Sequence, residues 1–110
     1  ARLDGLTGLY NRRYFMERLN HERERGQRYK HQIALLMVDL DHFKYVNDTY
    51  GHLFGDRVLE FVGGLIAGMM RGSDFAGRYG GEELCIALPQ TPLEGARVFA
   101  ERLRNRIAQE

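Results

Sequence analysis

The sequence predicts a mixed α/β domain, an α+β sandwich in which helices pack on a central sheet. Three observations support this fold class. A continuous apolar run over residues 33–38 is typical of a buried strand. Two short apolar segments flank Gly80-Gly81, which is a strong β-hairpin signal. Residues 93–109 carry apolar side chains at helical spacing and form the clearest helix.

The composition is typical of one globular domain, with 110 residues, 44% hydrophobic and 28% charged. A net charge of +1 gives no pull toward nucleic acid or an anionic membrane. The longest apolar run, 61–70, is too short to span a bilayer, and no signal peptide opens the chain. A single cysteine, Cys85, excludes an internal disulfide and favours a reducing compartment. We expect a cytoplasmic domain without direct membrane contact, any membrane anchor lying elsewhere in the parent protein.

The first half of the chain predicts a helix followed by a strand. Asn11 is a suitable N-cap for a helix over 12–25, and Gly26 is expected to end it. The strand over 33–38 stops abruptly at Asp39. Its uninterrupted apolar character predicts a central strand covered on both faces.

Two helices and the hairpin come next. A short helix is predicted over 43–49 and a longer one over 56–70, with a break at 51–55. Three glycines lower the helix propensity of the longer helix, so we expect a close packing contact there. They are Gly63, Gly64 and Gly68. The hairpin strands are predicted over 74–79 and 83–88.

Three strands make a thin sheet for four helices. A further strand is expected beside the first one, and the last predicted element is a helix. We therefore expect residues 1–110 to form a single domain whose C-terminal part, with the last strands of the sheet, is missing.

Acidic residues gather where the first strand and the hairpin tip are expected to meet: Asp39, Asp41, Glu82 and Glu83. Clustered carboxylates are unfavourable unless protons or a divalent cation neutralise them. Oxygen ligands without a His/Cys set favour Mg²⁺ or Mn²⁺ over zinc. Taken singly, each acid is as readily explained as a helix cap or a solvated turn residue. Their coincidence favours a metal site.

Other polar residues lie around the short helix. Lys44 is one turn into it and is expected to reach back over Asp39, where a helix N-terminus and a lysine suit phosphate. Asn47 and Asp56 flank the glycine turn and could hydrogen-bond a guanine edge, and His52 could contact a ligand or pack there. Considered alone, a surface lysine and two helix caps are the commoner interpretations.

Three blocks of the sequence, in order and suitably spaced, carry a family resemblance. Residues 78–84 read Arg-Tyr-Gly-Gly-Glu-Glu-Leu, 4–13 read Asp-Gly-Leu-Thr-Gly-Leu-Tyr-Asn-Arg-Arg, and 38–56 carry the acidic and polar residues above. These resemble the signature loop, the opening motif and the nucleotide-binding segment of the GGDEF family, the bacterial diguanylate cyclases. A lone Gly-Gly-acid-acid match is weak, whereas three blocks in register over 4–84 are specific.

The resemblance implies a palm-like nucleotidyl cyclase fold with a central antiparallel or mixed sheet flanked by helices. It implies condensation of two GTP molecules into cyclic di-GMP with release of pyrophosphate, by attack of a 3′-hydroxyl on an α-phosphate. Each subunit of a homodimer would hold one GTP, and an upstream sensor domain would belong to the parent protein.

The resemblance also implies residue roles. The Mg²⁺ or Mn²⁺ ligands would be Asp39, the Leu40 carbonyl and Glu82. The catalytic group would be Lys44, Glu82 and Glu83, with Lys44 stabilising the transition state and Glu82 also helping to deprotonate the 3′-hydroxyl. GTP would be bound by Phe43, Lys44, Asn47, His52, Asp56, Gly80 and Gly81. Cyclic di-GMP would bind and inhibit at Arg71, Asp74 and Arg102.

Two departures from the family pattern bear on these roles. Leu84 stands where the family usually has Phe, and we expect this to change core packing rather than chemistry. The family continues beyond Glu110 with a strand and basic residues that contact the triphosphate, so the fragment itself is expected to bind GTP poorly.

Two non-enzymatic functions compete with the cyclase interpretation. One is a GGDEF-type module that binds GTP or cyclic di-GMP and regulates a partner; the other is a structural dimerisation module. The presence of Asp39, Lys44, Glu82 and Glu83 together favours catalysis, since a receptor has no need of both hairpin acids beside a metal.

Overall fold

A computed structural model describes residues 1–40 and 43–109; Asp41, one of the four acids singled out above, lies outside them. The element order is helix, strand, helix, helix, strand, strand, helix, as the sequence predicts. The elements are α1 (Arg12–Tyr29), β1 (Ile33–Asp39), α2 (Phe43–Tyr50), α3 (His52–Met69), β2 (Phe75–Arg78), β3 (Glu83–Pro89) and α4 (Leu93–Ala108).

The strands of the described chain form one antiparallel sheet in the order β1-β3-β2, which confirms the mixed α/β prediction. Within the described chain, β3 lies between the other two strands and pairs with β1. The central position of β1 depends on the further strand expected on its other side, and it stays a prediction. Helix α1 packs on Phe75 and reaches only the Ile33 end of β1. Leu35 and Met37 of β1 are consequently about half exposed.

The core has one apolar cluster on each face of the sheet. Helices α3 and α4 cover one face, where Leu84 is fully buried, so this residue points into the core as predicted. Helix α1 covers the other face, which includes Cys85, whose Sγ lies 3.5 Å from Met37 Sδ. Burial and the charge of Glu83 raise the pKa of the Cys85 thiol.

Several glycines behave differently from the sequence predictions. Gly26 does not end α1: it packs so closely on the His31 carbonyl that a Cβ would lie 3.0 Å from that oxygen, and the helix continues to Tyr29. The predicted break at 51–55 is confined to Gly51, whose φ of 90° suits glycine. Gly63 makes the expected close contact, since a Cβ there would lie 2.9 Å from the Thr7 carbonyl oxygen. The same expectation is wrong for Gly64 and Gly68, since a Cβ at either position would have no packing partner within 4 Å.

Among the residues that the structure describes, no helix combines the length and apolar character needed to cross a membrane.

Candidate functional site

A cleft of about 720 Å³ opens between α2, the start of α3 and the tip of the β2–β3 hairpin. Its lining residues are Phe43, Lys44, Asn47, Asp48, His52, Asp56, Leu59, Arg78, Gly81, Glu82 and Glu83. All but Asp48, Leu59 and Arg78 belong to the site inferred from the sequence. The pairing of the hairpin with β1 and the α2–α3 turn thus bring those residues to one place.

The acidic edge of the cleft follows from the strand register. Asp39 is the cross-strand partner of Glu83, and the Leu40 N–H donates to the Glu82 carbonyl at 3.4 Å. Asp39 and Leu40 themselves border an apolar groove next to the cleft. In the described part of the chain, no three acidic, His or Cys side chains are grouped closely enough to hold a metal. The inferred ligand set needs only two carboxylates, because its third oxygen comes from the main chain.

The glycines of the hairpin tip differ in their surroundings. A Cβ on Gly80 would lie 2.5 Å from Oε1 of Glu83, so this glycine leaves room for the Glu83 carboxylate. Gly81 faces open space and lines the cleft. A side chain at either position would therefore reduce the space around Glu83 or in the cleft.

Asn47 is the most unusual polar group of the cleft. Its Oδ1 is buried and has no hydrogen-bond partner among the described residues. Gly55 packs directly on this oxygen, and a Cβ there would collide with it. A buried acceptor without a donor costs about 1–3 kcal/mol. The amide is therefore held in place by packing, and no described residue donates to its acceptor.

Lys44 lies on the open side of the cleft. Its side chain is 90% exposed, and Nζ lies 3.6 Å from Oδ2 of Asp48. The sequence led us to expect Lys44 over Asp39; the i, i+4 pair on α2 is found instead. An exposed pair of this kind is weak, so the ammonium group can leave it for a stronger anion.

Arg78, which lines the cleft, and Asp4 behind it hold the hairpin tip, and the sequence analysis gave neither residue a role. Arg78 donates through Nη2 to the Gly81 carbonyl at 2.9 Å and through Nη1 to Asp4 Oδ1 at 3.3 Å. Asp4 also accepts from the Thr7 N–H and hydroxyl, both at 2.8 Å. Burial alone would raise the pKa of Asp4, but the Thr7 hydrogen bonds and the Arg78 charge together lower it. These residues lie within the first and last motif blocks, but their contact spans 74 positions of the chain.

Comparison with known proteins decides the family. The sequence model of the protein family described as "Diguanylate cyclase, GGDEF domain" matches residues 1–110. The chain belongs to the GGDEF family. The diguanylate cyclase DgcP of Pseudomonas aeruginosa is 46% identical over 108 residues, which are 98% of this chain and 16% of DgcP. The chain thus spans about a sixth of that relative.

Solved GGDEF structures match the fold closely. The GGDEF domain of DgcB from Caulobacter crescentus, in complex with c-di-GMP, is 34% identical with a TM-score of 0.96. That match covers 99% of this chain and 62% of the other. The diguanylate cyclase SiaD of Pseudomonas aeruginosa, in complex with its activator SiaC, is 48% identical with a TM-score of 0.91. It covers 96% of this chain and 40% of SiaD.

A second polar group of this GGDEF domain, the arginine cluster, comprises Arg71, Asp74 and Thr91. Asp74 is buried and accepts from the Arg71 N–H at 2.8 Å and from Arg71 Nε and Nη2, both at 3.4 Å. Arg71 Nη2 also donates to the Thr91 hydroxyl at 2.9 Å. Arg102 is exposed on α4, and no hydrogen bond or ion pair of the described residues joins it to Arg71 or Asp74. Two of the three residues inferred for product inhibition are therefore brought together.

Proposed function

We propose that this GGDEF domain is a diguanylate cyclase that condenses two GTP molecules into cyclic di-GMP and two pyrophosphates. The observation that carries the proposal is the cleft, which brings together Asn47 with its unpartnered amide oxygen, the exposed Lys44 and two hairpin acids. A purely structural module has no use for such an arrangement. The named cyclases among its relatives support the same reaction class.

The base-binding part of the proposal uses Asn47, His52 and Asp56. Guanine offers a ring N–H and an exocyclic amine on one edge, which match a carboxylate and an amide oxygen. Asp56 lies on the same cleft wall as Asn47, and the buried Oδ1 of Asn47 gains a donor when guanine binds. His52, exposed at the start of α3, lies beside the base.

The phosphate-binding part uses the α2 end of the cleft and the hairpin tip. Lys44 exchanges its weak pair with Asp48 for the triphosphate and stabilises charge in the transition state. The main chain around Phe43, and that of Gly80 and Gly81, approach the phosphates without side-chain obstruction at the glycines.

A divalent cation fits the acidic edge. Asp39 and Glu82 offer carboxylates and Leu40 a carbonyl, all hard oxygen donors at one strand end, and Mg²⁺ and Mn²⁺ prefer such donors. When bound, the metal neutralises triphosphate charge, which phosphoryl transfer requires more than covalent help from the protein.

Glu82 and Glu83 complete the catalytic group. Glu82 accepts the proton of the attacking 3′-hydroxyl. As it does so, the 3′ oxygen bonds to the α-phosphorus and the bond from that phosphorus to pyrophosphate breaks. Glu83 lies opposite Asp39 and beside Gly80, where its charge helps to hold the metal and the hairpin tip.

The remaining assignments concern assembly and location. One cleft contains one guanine-binding set, so a homodimer with facing clefts would supply both substrates. Cyclic di-GMP would inhibit at Arg71, Asp74 and Arg102, and an upstream sensor domain would set the dimer geometry. Dependence on GTP and the free Cys85 thiol favour the cytoplasm.

Calorimetry with a non-hydrolysable GTP analogue, performed on the whole protein, tests the proposal. We expect binding in Mg²⁺ and at least a tenfold loss in EDTA, since the triphosphate and the carboxylates of Asp39 and Glu82 each need the metal charge. Equal affinity in EDTA would contradict the metal assignment. Metal-dependent binding without cyclic di-GMP formation from GTP would favour the non-catalytic regulatory module.

A further inference from the structure

Within the arginine cluster, Thr91 connects the end of β3 to Arg71. It lies between β3 and α4, is 7% exposed, and its hydroxyl makes two hydrogen bonds. The hydroxyl donates to the Pro89 carbonyl at 3.0 Å and accepts from Arg71 Nη2 at 2.9 Å. Because the single hydroxyl proton is committed to Pro89, the free lone pairs face the guanidinium.

The orientation of Thr91 is fixed by packing as well as by hydrogen bonds. Its Cγ2 methyl lies against Gly95 on the first turn of α4, where a Cβ would come within 2.8 Å of the methyl. A β-branched side chain has few χ1 choices, and the contact with Gly95 on one side and the Pro89 bond on the other select one. The hydroxyl is thereby directed at Arg71.

The guanidinium of Arg71 is consequently held on two sides. Nε and Nη2 face the Asp74 carboxylate, and Nη2 also reaches Thr91. Neither N–H of Nη1 has a partner within the described residues, and the Arg71 side chain is 65% exposed. Asp74, by contrast, has a side chain only 1% exposed, so its carboxylate holds Arg71 rather than facing solvent.

We propose that Thr91 is a positioning residue of the inhibitory site: it orients Arg71 so that the Nη1 edge is presented to cyclic di-GMP. The inference rests on the proposed product inhibition. A long arginine side chain that is free in solution loses rotamer entropy when it binds a ligand. Prior restraint by Thr91 and Asp74 lowers that cost.

The test is product inhibition in the whole protein, with each rate expressed relative to that variant's own uninhibited rate. Such a ratio reports only on folded, active molecules, so partial unfolding does not imitate the effect. For Thr91→Val, which is nearly isosteric, we expect the half-inhibitory concentration of cyclic di-GMP to rise about three- to tenfold, the range for losing one hydrogen bond. Thr91→Ser keeps the hydroxyl and should restore most of the inhibition.

Two further variants separate the inference from the function on which it rests. Gly95→Ala displaces the Thr91 methyl without removing the hydroxyl, and we expect a weaker shift in the same direction. Loss of inhibition in Arg71→Ala with wild-type inhibition in Thr91→Val would overturn the role of Thr91 and leave the inhibitory site standing. Unchanged inhibition in Arg71→Ala would overturn the site itself. Failure of Thr91→Ser to restore inhibition would assign the effect to the methyl contact and overturn the hydroxyl's role.

Discussion

The cleft and the arginine cluster are both built from charged and polar side chains, yet they are organised in opposite ways. In the cleft, Asn47 carries a buried acceptor without a described partner and Lys44 is almost fully exposed. In the arginine cluster, the Asp74 carboxylate is buried and accepts three N–H groups. Polar side chains without partners in the folded protein contribute little to its stability. Those that hydrogen-bond to one another stabilise the fold even in the absence of a ligand. Substitutions should therefore separate activity from stability.

The largest expected effect is on catalysis, from Glu82→Gln in the cleft. The substitution keeps the size of the side chain and leaves the main-chain hydrogen bond between Leu40 and Glu82 intact, so the fold should persist. Removal of the charge should lower the rate of cyclic di-GMP formation by about a hundredfold or more. The rate and the thermal midpoint of the whole protein are the measurements, with exposed Glu60→Gln as control. A rate near that of the wild type would show that Glu82 is not a metal ligand.

The next largest effect is on the free energy of unfolding. It is measured by removing one acid from the arginine cluster and one from the cleft. Asp74→Ala leaves the Arg71 N–H without its partner and should lower the free energy of unfolding by about 2 kcal/mol. Asp56→Ala removes an exposed carboxylate and should change that free energy by less than about 0.5 kcal/mol. Urea titrations of both variants measure the difference. Equal losses would mean that the two regions are not organised differently.

Asn47→Ala sharpens the contrast within the cleft. It removes a buried acceptor that has no described donor, so the free energy of unfolding should stay the same or rise slightly. The affinity for a GTP analogue should fall about tenfold, because guanine loses one hydrogen bond. Calorimetry and urea titration on the same sample test both parts. A marked loss of stability with unchanged affinity would reverse the interpretation.

The smallest effect concerns Asp4, which lies behind the cleft. Its folded pKa is lowered, so its ionised form stabilises the fold. That contribution is present above the ordinary pKa of 3.8 and is lost as the pH falls through the lower folded value. Asp4→Asn should therefore cost under about 1 kcal/mol at pH 7 and nothing in strong acid. Urea titrations across pH test this, and a difference that persists at low pH would contradict it.

The elements of the fold were predictable because their signals are local. Asn11 caps α1 as expected, its Oδ1 accepting from the Tyr14 N–H at 2.9 Å, and the hairpin forms around Gly80-Gly81. The errors arise where packing overrides local preference. Gly26 lies inside α1, where it packs on the His31 carbonyl. Helix propensity alone interprets a glycine at this position as the end of the helix. The pairing of β1 with β3 depends on strand order, which an apolar run does not specify.

The site was predictable to the extent that its residues lie in recognisable blocks. The cleft brings Lys44, Asn47 and Glu82 together, although their roles remain predictions. The supporting contacts were not predictable from spacing. Arg78 meets Asp4 across 74 positions and Arg71 meets Thr91 across 20, and each contact depends on how sheet and helices pack.

The burial of Cys85 in the central strand makes it a chemical reporter of unfolding. A thiol reacts as its thiolate, and here burial and the neighbouring Glu83 both disfavour that form. Alkylating reagents therefore reach Cys85 at an appreciable rate only when β3 separates from its neighbours. Because the chain has one cysteine, the labelling rate measures how often the sheet opens, without any engineered probe. Comparing that rate with and without bound nucleotide would measure how strongly the ligand holds the sheet closed.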